Sequence, residues 1–324
     1  MRPFVVGLLS TGLLSMAPAL AWADAEDIVL DLVRHGESTS NAAGIIDTAP
    51  PGAPLDATGV TEAQHVATAI EQEFGLTNIA AVFDSDELRT QQTAQPLLDA
   101  LTTEAGHTVT ASPFSALNEI PAGIFEGQST SSLEGILYLL GPLSWVFGDV
   151  LMPDIGDPTV NGVTFDEGFN TAVQSIYDGT ASATGTPTDV AFSSEGAIAV
   201  WTLMNVNNPD FSLLLNEVET NEGFLSNTGQ VVIDGSPGDW TLVSYDGVAV
   251  PQDPSLGTEL FVDFRNLIEA PQFAGYDIYE ALLTGNSATI DTAIQTGLTQ
   301  VDTALSQFPV EVFDQIVAAF GGSI

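Results

Sequence analysis

The first apolar run of the chain, Ile28-Val29-Leu30-Asp31-Leu32-Val33, ends in Arg34-His35-Gly36. The run is short and β-branched, which predicts a buried strand. Open α/β sheets bind ligands at the carboxyl ends of such strands. An imidazole there can act as a nucleophile and a guanidinium can hold phosphate oxygens. The chemistry these residue types point to is phosphoryl transfer.

Charge sharpens that reading. The chain of 324 residues carries 43 Asp and Glu against 4 Lys and Arg, a formal charge of −39. There is no lysine, and the arginines are Arg2, Arg34, Arg89 and Arg265. A molecule so negative repels anions over most of its surface, and nucleic acid and anionic membranes are poor partners for it. Arg34 and Arg89 both follow apolar runs that read as strands. If those strands are neighbours, the two guanidiniums converge and make the one positive spot; otherwise each is an ordinary ion-pair residue. Arg265 is far in sequence from both and reads as a structural ion-pair residue.

The elements that must position these groups follow in order. Residues 1–23 read as a secretory signal: Met1-Arg2, an apolar core from Phe4 to Met16, and Ala21-Trp22-Ala23 as a cleavage site. A secreted, extracytoplasmic protein is expected. With no cysteine, its stability must come from its core alone. A Pro/Gly-rich loop over 49–54 leads to a helical pattern from Val60 to Phe74, and Ile79–Phe83 reads as a second strand. Glu87–Ala94 opens a helix, and Thr108–Phe114 reads as a third strand. Of the other histidines, His65 falls on the first helix and His107 at the start of that strand. Leu133–Met152 is strongly apolar, but Gly141-Pro142 and Gly148-Asp149 should break it, which argues against a membrane helix. Val163–Tyr177 reads as helix, Asp189–Ser194 as strand, and Gln230–Asp234 with Trp240–Tyr245 as a hairpin at the sheet's edge. Beyond a linker at 251–257, Leu260–Ile268, Ile278–Leu283, Ile290–Leu305 and Val310–Phe320 carry helical spacing, punctuated at Gly285-Asn286-Ser287 and Phe308-Pro309.

The order of motifs resembles the histidine phosphatase superfamily, the phosphoglycerate-mutase-like proteins. The residues that carry the resemblance are Arg34-His35-Gly36-Glu37-Ser38 with Asn41, Leu55 to Gly59 with Glu62-Ala63, Ser85 to Arg89 with Gln92-Thr93-Ala94, and Leu117-x-Glu119 with Glu126-Gly127. It implies an α/β, three-layer αβα fold with a mostly parallel sheet over residues 24–250, and the helices of 251–324 form an appendage that packs on the domain or self-associates. It also implies a metal-independent phosphatase or mutase with no cofactor, and a phosphomonoesterase is expected of the two, because a mutase normally calls for cationic contacts that this chain lacks. His35 would carry a phosphohistidine, Arg34, Arg89 and Asn41 would bind phosphate, and Glu119 would protonate the leaving oxygen. An insertion at about 128–165 would cap the pocket, favouring a small phosphomonoester with an apolar leaving group, or else pack as ordinary core.

One position departs from the family. Its fourth strand ends in Ser-His-Gly, where this chain has Ser194-Glu195-Gly196, and no histidine lies beyond His107. An ionised Glu195 opposes a dianion, at a cost of about 4 kcal/mol per charge pair at 4 Å and an effective dielectric of 20. A protonated Glu195 can donate a hydrogen bond instead. Two outcomes stay open: a phosphatase working at acid pH in which Glu195 joins His35 and Glu119 in catalysis, or a catalytically impaired protein of the same fold that binds phosphate ligands or partners.

Overall fold

A computed structural model describes residues 27–181, 187–221 and 223–319. The expected signal peptide, residues 1–23, lies outside the described residues. The apolar run becomes β1 (Ile28–Arg34), buried along nearly its whole length because strands flank it on both sides. After it come α1 (Thr39–Ala43), α2 (Ala57–Phe74), β2 (Ile79–Asp84), α3 (Leu88–Ala105) and the two-residue β3 (Ser112–Pro113). Next are α4 (Leu133–Val146), α5 (Gly162–Thr180), β4 (Thr188–Ser193), α6 (Glu195–Asn205) and α7 (Phe211–Asn221). The chain continues through β5 (Gln230–Ser236), β6 (Asp239–Tyr245), β7 (Val248–Ala249), α8 (Leu256–Thr284) and α9 (Ser287–Ala319).

The strands form one mixed, mostly parallel sheet in the order β3-β2-β4-β1-β5-β6-β7. Side chains alternate across it. Leu30 and Leu32 of β1 meet Phe169, Val173 and Ile176 of α5 and Trp201 of α6 on one face. Val33 meets Val66 and Ile70 of α2 and Leu97 and Leu101 of α3 on the other. These are the three αβα layers expected.

Several local expectations change. β1 and β2 are not neighbours, since β4 lies between them. The hairpin is not wholly at the edge, because β5 pairs with β1. Of Thr108–Phe114 only Ser112 and Pro113 pair with β2, at the end of the sheet, and His107 lies in the turn after α3. Helix α4 runs through Gly141-Pro142, where Gly141 lets the helix lie against Asp154; a Cβ at Gly141 would sit 3.1 Å from the Asp154 Cα. The chain leaves the helix at Phe147-Gly148, with Gly148 at φ +92°. The tail is two long helices rather than four short ones. Pro271 and Pro309 lie inside α8 and α9, and the turn is at Gly285, with φ +64°.

Trp145, Val146, Val150 and Val163 of the insertion are buried against Val200, Leu203 and Met204 of α6 and Phe273 of α8. That half of the insertion is core. Helix α8 is seated through Gln272, which donates to the Gly148 carbonyl at 2.6 Å, and through Arg265, which is buried and donates to the Leu203 carbonyl at 2.5 Å. Phe147 stacks on Phe211 at the same joint and Phe261 meets both edge-on, with centroids 5.0–6.2 Å apart. Among the described residues no helix is long and apolar enough to cross a membrane.

Candidate active site

The carboxyl ends of β1 and β4 hold His35. Its backbone N–H donates to the Ser193 carbonyl at 3.1 Å, and its own carbonyl accepts from the Thr228 N–H. The imidazole is 3% exposed, with Nδ1 at 2.7 Å from the Gly36 carbonyl oxygen. A carbonyl can only accept, so Nδ1 carries the proton and Nε2 the lone pair. Burial, then the charges of Arg89 and Arg34, hold this histidine well below the ordinary histidine range. The ring is therefore neutral, with its lone pair on Nε2.

The turn after His35 is braced by residues that the sequence motifs contain. The Gly36 N–H donates to Thr93 Oγ1 at 3.0 Å, and the Glu37 N–H donates to Glu62 Oε2 at 2.7 Å. A Cβ on Gly36 would lie 2.7 Å from the Gly59 carbonyl oxygen, so this turn and the start of α2 can approach only as two glycines. The Leu55 N–H donates to Gln92 Oε1 at 2.8 Å, which ties the loop before α2 to α3.

The two guanidiniums converge although their strands are not neighbours. Arg34 Nη2 lies 3.0 Å from Glu195 Oε2, and Arg89 Nη2 lies 3.3 Å from Ser194 Oγ. Ser194 and Glu195 are consecutive at the junction of β4 and α6, so that junction gathers both cations around His35. Each already has an anionic partner. Arg34 also donates to the Leu225 carbonyl, while Glu195 Oε1 accepts from the Phe224 N–H. Both Glu195 carboxyl oxygens thus face donors, the Phe224 N–H and the Arg34 guanidinium. Arg89 Nη2 meets Glu87 Oε1 at 2.5 Å, and its Nη1 lies 3.7 Å from Asp47 Oδ2.

Sequence reasoning missed Glu87. It is fully buried and accepts from Ser194 Oγ at 2.8 Å and Ser85 Oγ at 3.2 Å. Burial pushes its carboxyl up to about 7, with the Arg89 charge opposing and the Glu119 charge adding. The available signal was an acid two residues before Arg89, which reads equally well as a residue suited to a helix N-terminus.

Glu119 sits at the start of α6. Its carboxyl accepts from the N–H groups of Ile120 at 2.8 Å, Gly196 at 3.0 Å and Ala197 at 2.9 Å. A Cβ at residue 196 would lie 2.8 Å from Glu119 Oε1, so glycine there gives the carboxyl room. Burial raises Glu119 above the ordinary range, against the pull of the Ile120 and Gly196 N–H groups. Beside it opens a cleft of about 300 Å³, lined by Thr48, Ala49, Pro50, Asn118, Pro121, Gly123 and Glu126. Asn41 is placed differently from the rest. It is exposed, and its Oδ1 accepts from the Ser38 N–H and Oγ in a capping box on α1. Among the described residues no group of acids and histidines is arranged to hold a metal ion.

A buried neutral imidazole thus lies beside two guanidiniums, with a carboxyl at a neighbouring helix start. Residues 30–137 match the profile of the histidine phosphatase superfamily (branch 1). That segment contains His35, both arginines and Glu119, and it stops short of Glu195. The fold is of the phosphoglycerate-mutase type. The chain is similar to a phosphoglycerate mutase from Bacillus anthracis, with 18% identity and a TM-score of 0.50 over 68% of this chain and 93% of that one. It is also similar to a mycobacterial glucosyl-3-phosphoglycerate phosphatase, with 16% identity and a TM-score of 0.50 over 68% and 99%. In sequence it is 45% identical, over 304 residues, to the PE-PGRS family protein PE_PGRS11 of Mycobacterium tuberculosis. That alignment covers 91% of this chain and 49% of the relative, so the chain spans about half the length of that protein.

Proposed function

We propose that the chain is a phosphomonoesterase working through a phosphohistidine, exported by its N-terminal signal. The observation that carries the reading is the His35 ring: Nδ1 is committed to the Gly36 carbonyl, which leaves the Nε2 lone pair between Arg34 and Arg89. Nε2 attacks phosphorus as the bond to the ester oxygen breaks, and Glu119 gives its proton to the departing alkoxide. The guanidiniums stabilise charge on the equatorial oxygens. Water then attacks the phosphohistidine, its proton passes to Glu119, and the P–N electron pair returns to Nε2. Phosphate leaves and the ring is as it began. In this reading Glu195 and Glu87 set the charge on the arginines rather than touch the transferred group.

The test is His35→Ala. Hydrolysis of p-nitrophenyl phosphate should fall by at least about a thousandfold, as when a nucleophile that acts as part of a unit is removed. Acid-labile labelling of the wild type by radioactive phosphate ester should vanish with it. Wild-type activity in the variant would remove the nucleophile assignment.

A second reading rests on a specific observation: each guanidinium is already paired with a carboxylate, Arg34 with Glu195 and Arg89 with Glu87. Such a site could bind phosphate without turning it over. No turnover between about pH 4 and 8, a range that spans the titration of ordinary and raised carboxyls, with vanadate or phosphate still raising the melting temperature, is the result that favours it.

A further inference from the structure

Resting on the phosphatase reading above, we infer that the cleft beside Glu119 receives the alcohol half of the substrate, and that this half is positively charged. The substrate class is the phosphomonoester of a cationic amino alcohol. The ionisable groups lining the cleft are Glu119 and Glu126. Glu126 is held rigidly: Oε1 accepts from the Thr48 N–H at 2.8 Å and Oε2 from the Thr48 hydroxyl at 2.8 Å. The carboxyl group is therefore fixed at the cleft wall.

Among the described residues no cation is available to balance it. The chain has no lysine. Arg34 and Arg89 are committed at the phosphate end to Glu195 and Glu87. Arg265 is buried on α8 against the Leu203 carbonyl. His65 on α2 and His107 after α3 are exposed and outside the cleft lining. A carboxylate on the leaving group would meet fixed negative charge with nothing to pair it, whereas an ammonium would meet its complement. The field of the whole molecule acts in the same sense. A formal charge of −39 disfavours the approach of a polyanion and is more tolerant of a zwitterion. The cleft, at about 300 Å³, suits a small head such as an alkylammonium.

The experiment compares kcat/KM for phosphocholine, 3-phosphoglycerate and p-nitrophenyl phosphate with the full chain at low ionic strength. Phosphocholine should exceed 3-phosphoglycerate by at least about tenfold, and added salt should narrow the gap as the charges are screened. Pro121→Arg, which puts a cation on the cleft wall, should move the ratio toward 3-phosphoglycerate by about tenfold through the same Coulomb interaction. Circular dichroism checks that the variant folds, and the salt dependence of the wild type stands without it. If p-nitrophenyl phosphate is hydrolysed but 3-phosphoglycerate is used as well as phosphocholine, the substrate class fails and the phosphatase reading stands. If none of the three esters turns over, both fail.

Discussion

Glu119 has two demands on one carboxyl. Three backbone N–H groups draw it toward the ionised form, while burial pushes it toward the protonated form, and the second effect prevails. A general acid needs that balance, since it must hold a proton and still release it. Glu119→Gln keeps the size of the side chain and removes the proton. Turnover of an alkyl phosphate should fall by about a hundredfold, within the usual range for losing a general acid. Hydrolysis of 2,4-dinitrophenyl phosphate, whose leaving group needs no proton, should fall far less. Equal losses on both esters would make Glu119 a structural cap on α6 and nothing more. The role proposed for Glu119 was readable in Leu117-x-Glu119 only through the family resemblance. Its N–H partners at residues 196 and 197 lie too far along the chain for any local pattern to connect them.

At the scale of elements, the His35 turn depends on how closely the start of α2 can approach it. Gly59 lies in the first turn of α2, and its N–H donates to the capping Asp56 carboxylate at 2.9 Å. Helix propensity alone favours alanine over glycine there by about 1 kcal/mol. A Cβ on Gly59, however, would lie 2.8 Å from the Glu37 nitrogen and crowd its carbonyl, which is backbone that cannot swing aside. Gly59→Ala should therefore destabilise the protein by about 1–3 kcal/mol, the usual cost of overpacking. It should also lower kcat by displacing His35. Denaturant unfolding and steady-state kinetics check the two halves, and a more stable variant would show that the approach is looser than it looks. Elements with strong periodicity, such as β1, α2 and α5, follow the sequence pattern closely. Helices α4, α8 and α9 run through internal prolines because their packing, around Asp154 and along the α8–α9 hairpin, outweighs one lost hydrogen bond each.

For the whole molecule, acidity is a matter of stability as well as of ligand choice. Asp31 in β1 is fully buried, with Oδ2 accepting from Gln230 Nε2 at 2.8 Å. Burial raises it to about 8, and burial likewise raises Asp189 in β4 to about 7. Between its unfolded value near 4 and its folded value near 8, Asp31 holds a proton that unfolding releases. The native state binds more protons there, so stability falls as pH rises across that window. The protein should be more resistant to denaturant at pH 5 than at pH 8. Asp31→Asn keeps the oxygen that Gln230 bonds and cannot ionise, so it should shrink the difference between those two pH values by about 4 kcal/mol. Urea midpoints of both proteins at both pH values measure this, and an unchanged difference would clear Asp31 of the effect.

The amino-acid sequence alone determined the Arg34-His35-Gly36 motif at the end of β1 and the scarcity of cations, because each is carried by short spacing or composition, while the αβα layering was legible in it through the family resemblance. Only the tertiary structure decided that Arg34 and Arg89 meet across an intervening strand, that Glu195 and Glu87 pair with them, and that Asn41 serves a cap. Those contacts join residues separated by up to 161 positions in the chain, or turn on which way one side chain points. Sequence spacing carries no record of either.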